Sequence, residues 1–359
     1  MFVRRILATV TGASLCAGLC VSCSKPKEQA GAGGAGTAGK ASADHGSVVV
    51  YTALDRMFSE PILQKFENRT GIKVAPKYDT ESTKTIGLVN AIRAEKTRPR
   101  CDVFWNNEIV NTLRLKDEGL LASYKPKAAE AYPETFRDPE GFWNGFAARA
   151  RVLLVNTNVV TPEQMPNSIY DLGDSQWKGK TGIAKPLFGT TATHAVCMFS
   201  FFGADKAKNF FAGLKQNDIQ IQAGNKTVAQ SVSAGRLAFG ITDTDDAIIE
   251  VESGKPVEIV FPDGATEQHG VLFIPNTLAI VKNCPNPENA RKLVEYLLGP
   301  DVETALAKAA SAQIPLNPNV TVETRVSTPQ DVKTMDVDFN DAAQRFDEAA
   351  NYIKDEFLR

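Results

Sequence analysis

The chain has 359 residues, with 40 basic and 42 acidic side chains and a formal net charge of -2. That near balance excludes the strongly basic face on which nucleic-acid binding depends. Only His45, His194 and His269 are present, and no CxxC or HExxH spacing occurs beyond the N-terminal segment, so nothing supports a histidine-built zinc site.

Met1-Phe2-Val3-Arg4-Arg5 is a short positive region, and an apolar stretch runs from Ile6 to about Val21. This is the layout of a secretory signal, too short for a comfortable membrane span. Cys20-Val21-Ser22-Cys23 resembles the cleavage box of bacterial lipoproteins. That resemblance implies a signal peptide over residues 1–22 and a lipid anchor on Cys23. Residues 30–46 read AGAGGAGTAGKASADHG, a composition that cannot bury a core, so 23–46 is expected to be a lipidated flexible linker. Signal, lipid and linker place the protein at the periplasmic or cell-surface face of a membrane.

The rest is long enough for two lobes. Ser47 to Tyr51 is an apolar, β-branched run that predicts a buried strand. A helix follows over Phe58–Thr70, then a strand over Gly71–Pro76, a helix over Thr85–Glu95, a strand at Asp102–Trp105 and a helix from Val110 to Gly119. The alternation predicts a mostly parallel sheet covered by helices. Two longer apolar strands, Ala150–Asn156 and Phe273–Val281, are expected to carry the chain between lobes. Between them lie strands at Thr181–Ala184, Ile219–Ile221 and Leu237–Ile241, with helices over 192–203, 205–215 and 227–234. Helices at 287–298 and 301–310 precede a terminal helix over Asp341–Phe357. The expected division is lobe 1 at 47–150 and 276–318, lobe 2 at 151–275, and a helical tail at 319–359 packed on the body. Cys101, Cys197 and Cys284 leave room for at most one disulfide.

Several stretches in order carry a resemblance. They are Val50–Ala53, Phe66–Val74, Cys101–Trp105, Asp117–Leu121, Gly145–Arg151, Trp177–Lys180, Pro285–Leu293 and Gln313–Pro318. Together they resemble the periplasmic solute-binding proteins of ABC importers, and among these the group that includes ferric-ion binders. The resemblance implies an α/β, two-lobed periplasmic-binding-protein fold with a two-strand hinge and a central cleft. It also implies a small-molecule or ion ligand, and an ABC permease in the inner membrane as partner. The ferric binders place a Tyr-Tyr pair after a strand that matches Gly240-Ile241-Thr242, where this chain has Asp245 and Asp246 instead.

In open α/β sheets ligands meet the loops at the C-terminal ends of strands. That rule nominates Asp55 and Arg56; Trp105, Asn107 and Glu108; Thr190, Thr191 and Thr193; Asn225; and Thr242, Asp243, Asp245 and Asp246. Arg149 and Arg151 alternate on one strand and point the same way, where they either meet an anion or form ion pairs. The threonines suit an oxyanion at a helix start or simply cap the helix. The aspartates either suit the positive end of a helix or surround a cation. Trp105 is a ligand platform or a core residue, and His194 reads as a helix-face residue. Iron(III) or another metal with a synergistic anion, carried as ligand rather than as cofactor, would draw on Asp55, Glu108, Asp245 and Asp246. A small organic ion (phosphonate, sugar phosphate or amine) is the alternative, and an envelope enzyme or structural lipoprotein the alternative of another class. No nucleophile–base set, phosphate loop or dinucleotide fingerprint accompanies these groups, so an enzyme is not expected.

Overall fold

The computed structural model describes residues 46–79 and 85–359. The expected signal peptide, Cys23 and all of the linker except Gly46 lie outside the described residues. The chain begins with β1 (Ser47–Thr52), α1 (Arg56–Thr70) and β2 (Lys73–Tyr78), followed by α2 (Ile86–Ala94), β3 (Val103–Asn106), α3 (Val110–Asp117) and a short β4 (Leu121–Ala122). β1 pairs in parallel with both β2 and β3. α1 ends because Gly71 adopts a left-handed conformation at φ 75°, its N–H capping the Glu67 carbonyl.

β5 (Asn144–Asn156) is buried at every position, which explains its long apolar run despite two arginines. The chain then forms β6 (Thr181–Ala184), α4 (Gly189–Phe202), α5 (Ala204–Gln216), β7 (Gln220–Gln222) and α6 (Asn225–Ser233). β8 (Phe239–Asp243), α7 (Thr244–Glu252) and β9 (Val257–Val260) complete this part, with β6 parallel to β7 and β8. β10 (Phe273–Val281) leads to α8 (Pro287–Leu297), α9 (Pro300–Lys308), α10 (Phe339–Gln344) and α11 (Phe346–Tyr352).

The expected parallel character holds within each set of three strands. It fails at the two crossing strands, where β10 runs antiparallel to β3 and β5, and β5 antiparallel to β8 and β9. A chain that crosses between lobes and returns must run against its partners. β5 belongs to both sheets: Asn144 to Ala150 pair with β10, and Arg151 onward with β8. The exchange falls between two adjacent residues. Beside it the β5–β10 register shifts at Pro275/Asn276, and Ala147 sits at φ 43°. The Glu303 carboxylate pins this region by accepting from the N–H groups of Ala147, Leu316 and Asn317 at 2.6, 2.9 and 2.8 Å.

The C-terminal helices touch both sides. The Arg114 guanidinium of α3 lies 3.9 Å over the Phe346 ring, and Ser200 of α4 donates to Asp341 at 2.5 Å. The expected continuous terminal helix is interrupted at Arg345, whose N–H is shared between the carbonyls of Asp341 and Ala342.

Candidate functional site

Three helices of the second sheet begin around one pocket. α4 starts at Gly189, which takes φ 53° as the chain turns out of extended Phe188, a conformation that glycine adopts at little cost. α6 starts at Asn225 after Gly224, and α7 at Thr244 after Asp243. The pocket lining includes Asn107, Arg149, Lys185, Phe188, Thr190, Thr191, Asn225, Asp243 and Asp246. The starts of α4 and α6 carry no acidic residue in the first turn, whereas α7 carries Asp245 and Asp246. The Ala192 N–H closes the first turn of α4 on the Phe188 carbonyl and the Val228 N–H that of α6 on the Gly224 carbonyl, so the earlier N–H groups of each helix have no intrahelical acceptor.

A buried charge network runs through the lining and behind it. Arg151 stands opposite Asp243 in the β5–β8 register, and its Nη1 donates to Asp243 Oδ1 at 2.6 Å and to Asn225 Oδ1 at 3.0 Å. The other Asp243 oxygen accepts from Thr190 Oγ1 at 2.5 Å and Asn225 Nδ2 at 3.0 Å. Thr191 Oγ1 donates to Asn225 Oδ1 at 3.0 Å. Arg149 donates to Asp245 at 3.0 Å and to the Asn107 carbonyl across the pocket. Burial works to raise the Asp243 carboxyl, but Arg151 and Arg149 outweigh it and hold the group below the ordinary range. Burial likewise opposes the charge on Arg149, and Asp245 and Asp243 overcome it, so the guanidinium stays protonated. Asp243, Asp245 and Asp246 each offer an oxygen within 4.8 Å of one another, but Arg149 and Arg151 already offset two of the three charges.

The structure thus brings together Asn107, Arg149, Arg151, Thr190, Thr191, Asn225, Asp243, Asp245 and Asp246. Thr242 supports them by donating to the Asn225 carbonyl at 3.0 Å. The remaining candidates lie elsewhere. Arg56 is exposed and paired with Glu60 at 2.6 Å, and neither it nor Asp55 lines the pocket. Trp105 is fully buried with its ring centroid 5.5 Å from that of Phe146, which makes it a core residue. Glu108 is fully buried and accepts from Asn106, Asn111 and Thr193. His194 faces the apolar side of α4 among Leu172, Ile183 and Met198; burial, with Arg151 nearby, drives its pKa down to about 3. Lys185 was not anticipated, although it follows the C-terminal end of β6, where the strand-end rule points.

Two α/β sheets that exchange a strand, with a polar pocket between them, define a two-lobed solute-binding protein. The chain belongs to the bacterial extracellular solute-binding protein family, whose model matches residues 110–344. A curated relative, iron uptake protein A1 of Synechocystis, is 26% identical over 76% of this chain and 78% of its own length. Among solved structures, the periplasmic binding protein AfuA from Actinobacillus pleuropneumoniae, with exogenous fructose-6-phosphate bound, aligns with a TM-score of 0.77. It is 25% identical and the alignment covers 88% of this chain and 99% of that one. Iron-bound HitA from Pseudomonas aeruginosa shares the fold with a TM-score of 0.77 at 21% identity, over 86% of this chain and 99% of HitA.

Proposed function

We propose that this protein captures a small phosphorylated or phosphonate solute and hands it to an ABC permease, acting as a binding protein and not as an enzyme. The carrying observation is the pair of helix starts, α4 and α6, that face the pocket with hydroxyls, an amide and Lys185 but no carboxylate of their own. Such starts favour an oxyanion through their free N–H groups and their dipoles. The other end of the solute, a hydroxyl or amine, meets Asp246 and Asn107. The likeness to AfuA supports a sugar phosphate. The pocket encloses about 20 Å3, enough for about one water, so in this reading an organic solute enters when the two sides part. We further propose that the chain is exported and held by a lipid on Cys23; mass spectrometry of the protein from a bacterial host tests this, and an unmodified cleaved N-terminus overturns it.

A metal ion carried with an anion is the second reading, favoured by the three carboxylates of Asp243, Asp245 and Asp246. A metal there competes with Arg149 for Asp245 and with Arg151 for Asp243. Calorimetry with fructose 6-phosphate, 2-aminoethylphosphonate and ferric citrate separates the two. The phosphorylated solute is expected to bind and the iron salt to leave the protein unchanged. Binding of ferric citrate alone overturns the first reading.

A further inference from the structure

We propose that Glu108 is a positioning residue that clasps the two sides of the pocket together through Thr193. Glu108 follows β3 and is fully buried. One carboxylate oxygen accepts from Asn106 Nδ2 at 2.9 Å, and both lie 3.2 Å from the Asn111 N–H in the first turn of α3. Its backbone carbonyl accepts from Thr277 of β10 at 3.4 Å, and that hydroxyl is itself 2.7 Å from Thr112. All of these partners stand on the side of β3 and β10, so the arm is held rigid from behind.

The remaining partner comes from the opposite side. Thr193 Oγ1 of α4 donates to Glu108 Oε2 at 2.8 Å, and Thr193 is itself buried. Thr193 lies three residues beyond Thr190, so both stand on one face of the helix. The contact therefore fixes the turn of α4 that presents Thr190 and Thr191 to the pocket. An anionic acceptor strengthens such a bond, and burial removes the water that would replace it. When the sides part, Glu108 keeps its rear partners and loses only Thr193. The clasp consists of protein groups alone, so it favours the closed arrangement before any solute arrives, and it adds to solute affinity by reducing the cost of closure.

The test uses the full chain and the variants Thr193→Val, Thr193→Ser and Glu108→Gln. Small-angle scattering of the solute-free proteins is expected to show a larger radius of gyration for Thr193→Val than for the wild type, with Thr193→Ser restored to the wild-type value. Glu108→Gln cannot accept from Thr193 and Asn111 with equal strength, and it is expected to expand the protein as well. Equal radii for the wild type, Thr193→Val and Glu108→Gln overturn the proposal. The affinity arm rests on the phosphorylated-solute reading: fructose 6-phosphate should bind Thr193→Val about tenfold to a hundredfold more weakly, through faster dissociation. If the radii differ while the wild type ignores fructose 6-phosphate, the clasp stands and the sugar-phosphate reading falls.

Discussion

The helix starts around the pocket fall into two kinds. α4 and α6 open on Gly189-Thr190-Thr191 and on Asn225, with no acidic residue in the first turn, while α7 opens on Thr244-Asp245-Asp246. All three point positive ends toward the same space, but α7 neutralises its own and the other two do not. One geometry thus yields a pole that accepts an anion and a pole that accepts a hydroxyl or a cation. Arg149 and Arg151 set how strong the second pole is, because they bear directly on Asp243 and Asp245 and Arg149 also attracts Asp246.

The largest effect should come from breaking the support that both poles share. Arg151 contacts Asp243 at 2.6 Å, Asn225 at 3.0 Å and the hydroxyls of Thr190 and Thr191 at 3.4 and 3.3 Å. Arg151→Ala strands a buried carboxylate, a loss of about 3–5 kcal/mol. Urea unfolding measures it, and a midpoint close to wild type would show that Arg149 alone carries Asp243. Solute binding should vanish with it, because both anion-facing helices lose their common anchor.

The uncharged character of the α4 start can be tested through pH. His194 is buried with its pKa held near 3, below its ordinary value of 6.5, so the unfolded chain takes up the proton first. The stabilising contribution is complete above pH 6.5 and falls away toward pH 3. Between pH 6.5 and about 5 the wild type should lose about 2 kcal/mol from this group. His194→Leu should flatten that part of the stability profile. A variant that retains the full slope would assign it to another residue.

A narrower cut separates the poles. Asp246→Asn removes the charge from the pole of α7 without touching α4 or α6. It should weaken 2-aminoethylphosphonate about tenfold, the scale of a charge-assisted hydrogen bond, while inorganic phosphate binds as before. Equal loss for both ligands would mean that the two poles act as one.

Much of this was legible in the chain. Buried strands such as Val48–Tyr51 and Val103–Trp105 read as apolar runs because both faces are covered, and the rule that sites form at strand ends led to Thr190, Thr191, Asn225 and Asp243. The pairing of Arg151 with Asp243 was not legible. Those residues face each other only through the β5–β8 register, a contact between distant segments that no local period encodes. Glu108 shows the same limit from the other side. A carboxylate beside a strand end suggests a ligand, but its donors arrive from Asn106, Asn111 and Thr193, and the last of these lies far along the chain. Trp105 follows the same rule into error, since β3 continues one residue further and keeps the ring in the core.

The smallest effect should come from the β1 side, which reports how far the site extends. Arg56 sits at the first position of α1, where the strand-end rule placed a ligand contact. Its guanidinium turns instead along the helix to Glu60 at 2.6 Å, with 67% of the side chain exposed, and stands 5.5 Å from the Tyr78 ring centroid. An exposed pair at this spacing gains little in water, since solvent screens both charges and two long side chains must be ordered to hold it. Arg56→Ala should therefore leave both the melting temperature and the affinity for fructose 6-phosphate indistinguishable from wild type. A clear loss of affinity with unchanged stability would bring the β1 loop into contact with the solute in the closed form. The recognition surface would then run across both sheets, and α4, α6 and α7 would account for only half of it.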